Sequence, residues 1–485
     1  MSTDEQGGPG STRSPIATSP GPPAWGELLG RRHLGSAIVL AGGVLVGAIN
    51  IYLAASLLPS AVAELGGAGF YALNMTAYLV AMVIATTLAG RLLSRWGNIG
   101  AYLTGFATFV AGSLACALSP AMEVLLVSRG VQGLGAGLLS GLGFAVLRSA
   151  LPARLWTRGA ALMSAMYGVG NFAGPALGGL FAQFGSWRLA FVAMAVIGAG
   201  CGALVPRVLP RSDRGSGHGG ERGGGRGGGE RVPVPVGSLV LITAAAAAVS
   251  MAGVVAGTPA KVACIVASLL LMAGFVAHER RSELRVFPRT TYQRGSSLKW
   301  IYLTLGLLAF GVSVESFLPL FGQRLAGLPP LVAGFFAAAI SLGWSTTQIG
   351  SSSVTGPRAV RRLRVLGPLL LAAGLAVQGL LQAENAPIWL VIAWVPVLYV
   401  AGAGIGLAYP HLSVAAMSST QDPEEGGRAA AAIATVTSLS IAFGTAVGGA
   451  LVNLGGGSML DAARYSLFGI AIICGLGALT ARAAR

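Results

Sequence analysis

Apolar runs of about 18 to 26 residues follow one another from residue 36 almost to the C-terminus. This recurrence constrains the fold more than any other feature of the chain. A helix needs about 20 apolar residues to cross a hydrocarbon core of roughly 30 Å. Fourteen such runs can be drawn between residues 36 and 482. Only 10% of the residues are charged, against about 25% in an ordinary soluble chain. The 74 glycines would each weaken a soluble helix by roughly 1 kcal/mol relative to alanine. Between membrane helices they instead let backbones approach closely. The expected fold is all-α and integral to a lipid bilayer.

A net charge of +16 could indicate a nucleic acid partner, so the placement of the charge has to decide. With the N-terminus in the cytoplasm, all but five of the 32 basic residues fall in tails and loops on the cytoplasmic side. The exceptions are Arg188, Lys261, Arg324 and Arg464 on the opposite side, and Arg129 inside a run. Such a split follows the positive-inside rule. It predicts a multi-pass protein of the cell (inner) membrane with both termini cytoplasmic, and it leaves no nucleic acid partner to explain. Removing the two middle runs, 236–256 and 260–277, as a pair would preserve the parity, so twelve helices and a long loop satisfy the same pattern.

Residues 1–35 are rich in Gly, Pro, Ser and Thr and read as a disordered cytoplasmic tail. Residues 208–235 alternate Gly, Arg and Glu. Such tracts can bind RNA, but between two apolar blocks they read as a flexible cytoplasmic linker. Cys116, Cys201, Cys264 and Cys474 each lie in an apolar run with no CxxC spacing, as small buried hydrophobes. No histidine pattern suggests a metal, and no enzyme or nucleotide-binding motif is present, so neither a cofactor nor catalysis is expected.

The chain also repeats itself. Ser56-Leu57-Leu58-Pro59 returns as Ser316-Phe317-Leu318-Pro319. Gly174-Pro175-Ala176-Leu177-Gly178-Gly179 returns as Gly444-Thr445-Ala446-Val447-Gly448-Gly449. Duplicated helix sets mark many transporters. The spacing predicts a six-helix half at 36–207 and another at 299–485. Two extra helices with a cytoplasmic loop would occupy 236–298.

Three motifs add chemistry. Gly90-Arg91-Leu92-Leu93-Ser94-Arg95-Trp96-Gly97 lies between the second and third runs. Arg129-Gly130-Val131-Gln132-Gly133-Leu134-Gly135-Ala136-Gly137 lies in the fourth. In the fifth, Gly170, Gly174, Pro175, Gly178 and Gly179 form a stripe of small residues for close packing, with a proline that can bend the helix. Together these resemble the major facilitator superfamily, and within it the fourteen-helix drug:proton antiporters. The resemblance implies a monomer that rocks around a central cavity and exports small hydrophobic organic compounds, such as drugs, antibiotics or secondary metabolites, in exchange for protons. It implies a gating loop at Gly90, Arg95 and Gly97, and a helix 5 stripe that seals one half against the other. Two positions depart from the pattern. Ser94 stands where the family usually has Asp, and Asn50 stands where drug antiporters commonly carry Asp.

Coupling would then rest on Glu315, the one acid well inside a run. A carboxyl kept from water is costly to ionise and can exchange a proton near neutral pH. Arg129, which costs roughly 2.5–3.5 kcal/mol at a helix centre, is expected to face the interior and tune Glu315. A position near the outer end of its helix would instead let it snorkel to the headgroups. Asn50, Tyr52, Tyr78, Gln132, Tyr167, Asn171, Trp344 and Gln348 are the polar and aromatic residues available to line a substrate path. The missing acids leave open an importer or uniporter without proton coupling, and a non-transporting membrane sensor that kept the fold is the remaining rival.

Overall fold

The computed structural model describes residues 25–152, 155–209, 235–252, 254–255, 257–282, 285, 287–293, 295–354, 356–419 and 423–484. Most of the tail 1–35 and of the linker 208–235 therefore lies outside the described residues. Helices run in the order α1 (Trp25–Leu28), α2 (Leu34–Leu65), α3 (Tyr71–Ala117), α4 (Met122–Ala150), α5 (Trp156–Phe184), α6 (Trp187–Val208), α7 (Val236–Met251) and α8 (Thr258–Arg281). They continue with α9 (Leu298–Val312), α10 (Leu318–Leu325), α11 (Pro330–Ser351), α12 (Pro357–Leu380), α13 (Ile388–Met417), α14 (Pro423–Leu454) and α15 (Met459–Ala483). No strand occurs among the described residues.

Local chemistry sets several boundaries. Gly66 and Gly67, both at positive φ, end α2 and turn the chain. Ser186 caps α6 through the backbone N–H of Arg188, and Ser458 caps α15 through that of Asp461. At 47 residues, α3 would measure about 70 Å if straight, more than twice a bilayer core. It consists of two helices that meet at Gly97, whose φ of 68° and ψ of −179° leave the helical region. The sequence suggests a loop around Gly90–Gly97. The structure keeps 90–96 helical and places the whole change of direction on one glycine.

Pro319 acts differently from its repeat partner Pro59. Pro59 sits inside a continuous α2. Pro319 has no N–H for the carbonyl of Glu315, four residues earlier. There the chain tightens into a 3-10 turn, Ser313–Ser316, between α9 and α10. Glu315 thus sits at a helix break.

Eleven helices among the described residues are long and apolar enough to cross a membrane. The difference from the expected fourteen has three sources. The two runs of α3 count as one, glycine-rich α5 falls outside the set, and α7 has only 16 residues. Buried apolar side chains gather in two large clusters, one drawn mainly from residues 28–209 and one from 298–484. Helix α7 packs against α3 and α14, and Val83, Ile242, Phe275 and Leu439 form a small third cluster there. Ser250 of α7 donates to Thr76 of α3 at 3.2 Å. Of the eleven helices, α8 is the least buried.

Candidate functional site

Arg129 occupies the second turn of α4 and is 2% exposed, so it faces the interior rather than the headgroups. Its Nη1 donates to Oδ1 of Asn50 and, at 2.6 Å, to Oε1 of Gln132. The guanidinium carbon lies 4.1 Å from the centre of the Tyr78 ring, a cation–π arrangement. Tyr78 is fixed in turn by its hydroxyl, which donates to the carbonyl of Gly47 at 3.1 Å. Gln132 donates to Ser113 at 2.8 Å and accepts from the Cys116 thiol. Nη2 of Arg129 and Nδ2 of Asn50 have no hydrogen-bond partner. All of its polar partners are neutral. Buried ions normally need a counter-charge or full hydrogen bonding, so this is a costly arrangement that the fold maintains.

Glu315 is 5% exposed. One carboxyl oxygen accepts from the Ser341 hydroxyl of α11 at 2.7 Å, and the carboxyl also accepts from the Tyr52 hydroxyl of α2. Glu315 and Arg129, the latter expected to tune the former, share no hydrogen bond or ion pair among the described residues. Helix α2 touches both, through Asn50 and Tyr52, which are two residues apart. Such a spacing turns two side chains about 200° from each other around a helix. Asn50 meets α4 while Tyr52 meets the α9–α10 break.

The helix 5 stripe has two faces. A Cβ added at Gly170 would lie 2.6 Å from Cβ of Ala48, and one at Gly174 would lie 2.6 Å from Cβ of Tyr52. At Gly178 it would meet the carbonyl of Leu53 at 2.5 Å. This face presses on α2. Gly179 points the other way, against the backbone of Leu331 at the start of α11, and Pro175 lies beside Gly334. The repeat copy mirrors this pattern. Gly444 packs on Phe310 and Ser313, and Gly449 packs on Ala72 at the start of α3. Nearby, Tyr71 donates to the carbonyl of Ser316 at 2.9 Å, and Gln323 donates to that of Ser56 at 3.2 Å.

From the Gly179–Leu331 contact, α5 and α11 part toward the N-terminal end of α5. A cavity of about 560 Å³ opens there, lined by Val169, Asn171, Phe172, Ser341 and Ser345 among others. It therefore reaches Ser341, the residue whose hydroxyl holds Glu315. Trp344, one turn along α11, packs its ring 5.4 Å from that of Tyr409, which shares a hydrogen bond with Thr437 at 2.8 Å. Gln348 follows on the next turn and is half-buried.

The residues expected along a substrate path thus separate. Asn50, Tyr78 and Gln132 hold Arg129 and are buried. Tyr52 is bound to Glu315, and Asn171, Trp344 and Gln348 are half-buried. The side chain of Tyr167 lies outside the described residues. In the segment expected to gate, Gly90 and Arg95 are exposed, and Ser94 donates to the carbonyl of Arg91 at 2.9 Å. Sequence reasoning missed Ser341 and Ser113, since a serine within an apolar run carries no signal of its partner. The structure extends α8 to Arg281 and buries Glu279 completely.

The family model of the Major Facilitator Superfamily matches residues 40–445. A probable multidrug-efflux transporter of Mycobacterium tuberculosis is 42% identical over 456 residues, covering 94% of this chain and 95% of that protein. A riboflavin transporter of Clostridioides difficile is 22% identical over 378 residues, 77% of each chain. Among solved structures, an auto-inhibited POT-family peptide transporter superposes with a TM-score of 0.64 over 92% of this chain and 96% of its own, at 15% identity. That likeness concerns the fold alone. These relatives are transporters rather than enzymes, and the helices, the match along most of the chain and the 42% identity together place it: the chain is a multi-pass membrane transporter belonging to the major facilitator superfamily.

Proposed function

We propose that the protein is a fourteen-helix, proton-coupled exporter of small, largely hydrophobic organic compounds such as drugs, antibiotics or secondary metabolites. Its two six-helix halves would be α2–α6 and α9–α15, with α3 contributing two spans and the α9–α10 pair one. Helices α7 and α8 would be the inserted pair. The matching contacts of Gly179 on α11 and Gly449 on α3 support this duplication. It would work as a monomer with both termini in the cytoplasm.

The observation that carries the coupling is the seat of Glu315. A buried carboxyl at a helix break accepts hydroxyls from α2, in the first half, and α11, in the second. Hydrogen bonds to an ionised acceptor are roughly twice as strong as neutral ones. Loading a proton onto Glu315 would weaken both bonds and loosen the tie between the halves. Losing that proton would restore it, so that proton release and reorientation proceed together. Trp344, Tyr409 and the apolar cavity wall beside Ser341 suit a bulky apolar or cationic substrate.

One observation favours a facilitated carrier without proton coupling: Arg129 is enclosed by the neutral Asn50 and Gln132, so the first half offers no acid at this site. Inside-out vesicles holding the protein distinguish the two. Ethidium accumulation that needs an inward-acid pH gradient, and collapses with a protonophore, supports the exporter. Equilibration that ignores the gradient supports the facilitated carrier.

A further inference from the structure

A second, larger cavity of about 820 Å³ lies away from Glu315, between α8, α9 and α14. Lys299, in the first turn of α9, and Arg280, in the last turn of α8, both line it. Its apolar wall follows α9 as far as Phe310. Eleven residues of helix rise about 16 Å, close to half of a roughly 30 Å hydrocarbon core. The cavity is thus one leaflet deep, with its cations at the boundary and its apolar floor near the midplane. Val276 of α8 and Leu303 of α9 line it and are 38% and 46% exposed, so it opens toward lipid.

No acid lines this cavity among the described residues. The nearby carboxylate of Glu279 is buried behind the wall and held by hydrogen bonds. It accepts from the Ser238 hydroxyl, from the Phe287 backbone N–H at 3.2 Å and from the Tyr292 hydroxyl at 3.2 Å. These bonds pin the segment from Phe287 to Tyr292 across the polar end of the cavity. Burial, followed by the Glu279 carboxylate, pushes the Tyr292 phenol up from its ordinary value, so it stays a neutral donor. Arg285 adds a further cation 6.0 Å from the Tyr292 ring.

A polar end whose charged side chains, among the described residues, are cations, joined to an apolar slot one leaflet deep, fits one class of occupant. We propose that this cavity seats a single anionic phospholipid of the cytoplasmic leaflet, with its phosphate between Arg280 and Lys299 and an acyl chain along α9. Basic side chains at this level attract anionic headgroups. A zwitterionic lipid offers them no net charge, and free phosphate leaves the apolar slot empty. The bound lipid would fill the gap between the inserted pair and α9, the helix that leads into the Glu315 break.

The test uses purified full-length protein and three probes: dioleoyl phosphatidylglycerol, dioleoyl phosphatidylcholine and inorganic phosphate. Native mass spectrometry counts retained lipid, and thermal unfolding reports the shift. Wild type is expected to retain one phosphatidylglycerol and to gain thermal stability from it over phosphatidylcholine. Arg280→Gln combined with Lys299→Gln should reduce the preference about thirtyfold, the weight of two basic residues at a bilayer surface. Leu303→Trp, which fills the slot and keeps both charges, should reduce retention as well. Arg358→Gln with Arg361→Gln, equally basic but exposed at the start of α12, should leave the preference intact. Three results would overturn the proposal: no preference in wild type, a preference that survives Leu303→Trp, or the same thermal shift from inorganic phosphate alone.

Discussion

Arg129 and Glu315 are the two buried ionisable side chains around which the residues of this site arrange themselves, and they do so separately. Arg129 is held by neutral groups, and its bonds satisfy the buried amide oxygens of Asn50 and Gln132. Arg129→Ala would strand Oδ1 of Asn50, at about 1–3 kcal/mol for an unsatisfied buried group, and leave Oε1 of Gln132 with only the weak Cys116 thiol donor. A clear fall in Tm of the detergent-solubilised protein is the expected result. Asn50→Asp should do the opposite, since it places a carboxylate against a cation with an unpartnered Nη2. Its Tm should rise, and a fall would show that the guanidinium is already compensated in some other way. The sequence made Arg129's inward position legible, because a charge within an apolar run must find partners. The partners of Glu315 were not legible. Ser341 is 26 residues away on another helix, and only packing brings the two together.

Among the elements, the α9–α10 break is the feature that most separates the two copies of the repeat. Proline with the same flanking Ser and Leu stands in both, yet α2 runs through Pro59 while the chain tightens ahead of Pro319. The motif alone could not tell these apart, because a continuous helix and a 3-10 turn differ by neighbours such as Tyr71, whose hydroxyl takes the Ser316 carbonyl. Pro319→Ala restores the N–H that Glu315's carbonyl lacks. It is expected to straighten the break, keep or raise Tm, and slow gradient-driven dye movement at least tenfold. Pro59→Ala should leave transport within about twofold, since its helix is already continuous. The glycine stripe, by contrast, was readable from four-residue spacing, because small residues on one helix face serve close approach. Which neighbour each glycine meets was not readable. Gly174 meets α2 while Gly179 meets α11. Gly179→Leu and Gly449→Leu should each misplace a different helix pair, and both should lower Tm by several degrees.

Over the whole molecule, two similar grooves have different fates. The groove between α3 and α14 is occupied by α7. The groove between α5 and α11 stays open beyond Gly179 and reaches Ser341. Long apolar runs made an all-helical membrane fold legible from the chain alone. The open groove was not, since it depends on how far two helices diverge. Ser345→Trp, placed in that groove, should slow dye movement at least tenfold while leaving Tm unchanged, and full-rate movement would remove the groove from the substrate's route.

The most direct test of proton coupling through Glu315 compares wild type with Glu315→Gln in liposomes, measuring ethidium accumulation under a pH gradient and dye-for-dye exchange without one. The expected result is that the variant loses gradient-driven accumulation by at least tenfold and keeps exchange, because it still binds and reorients but cannot carry the proton. Accumulation at the wild-type level in Glu315→Gln would contradict the account and leave the buried carboxyl a structural role only.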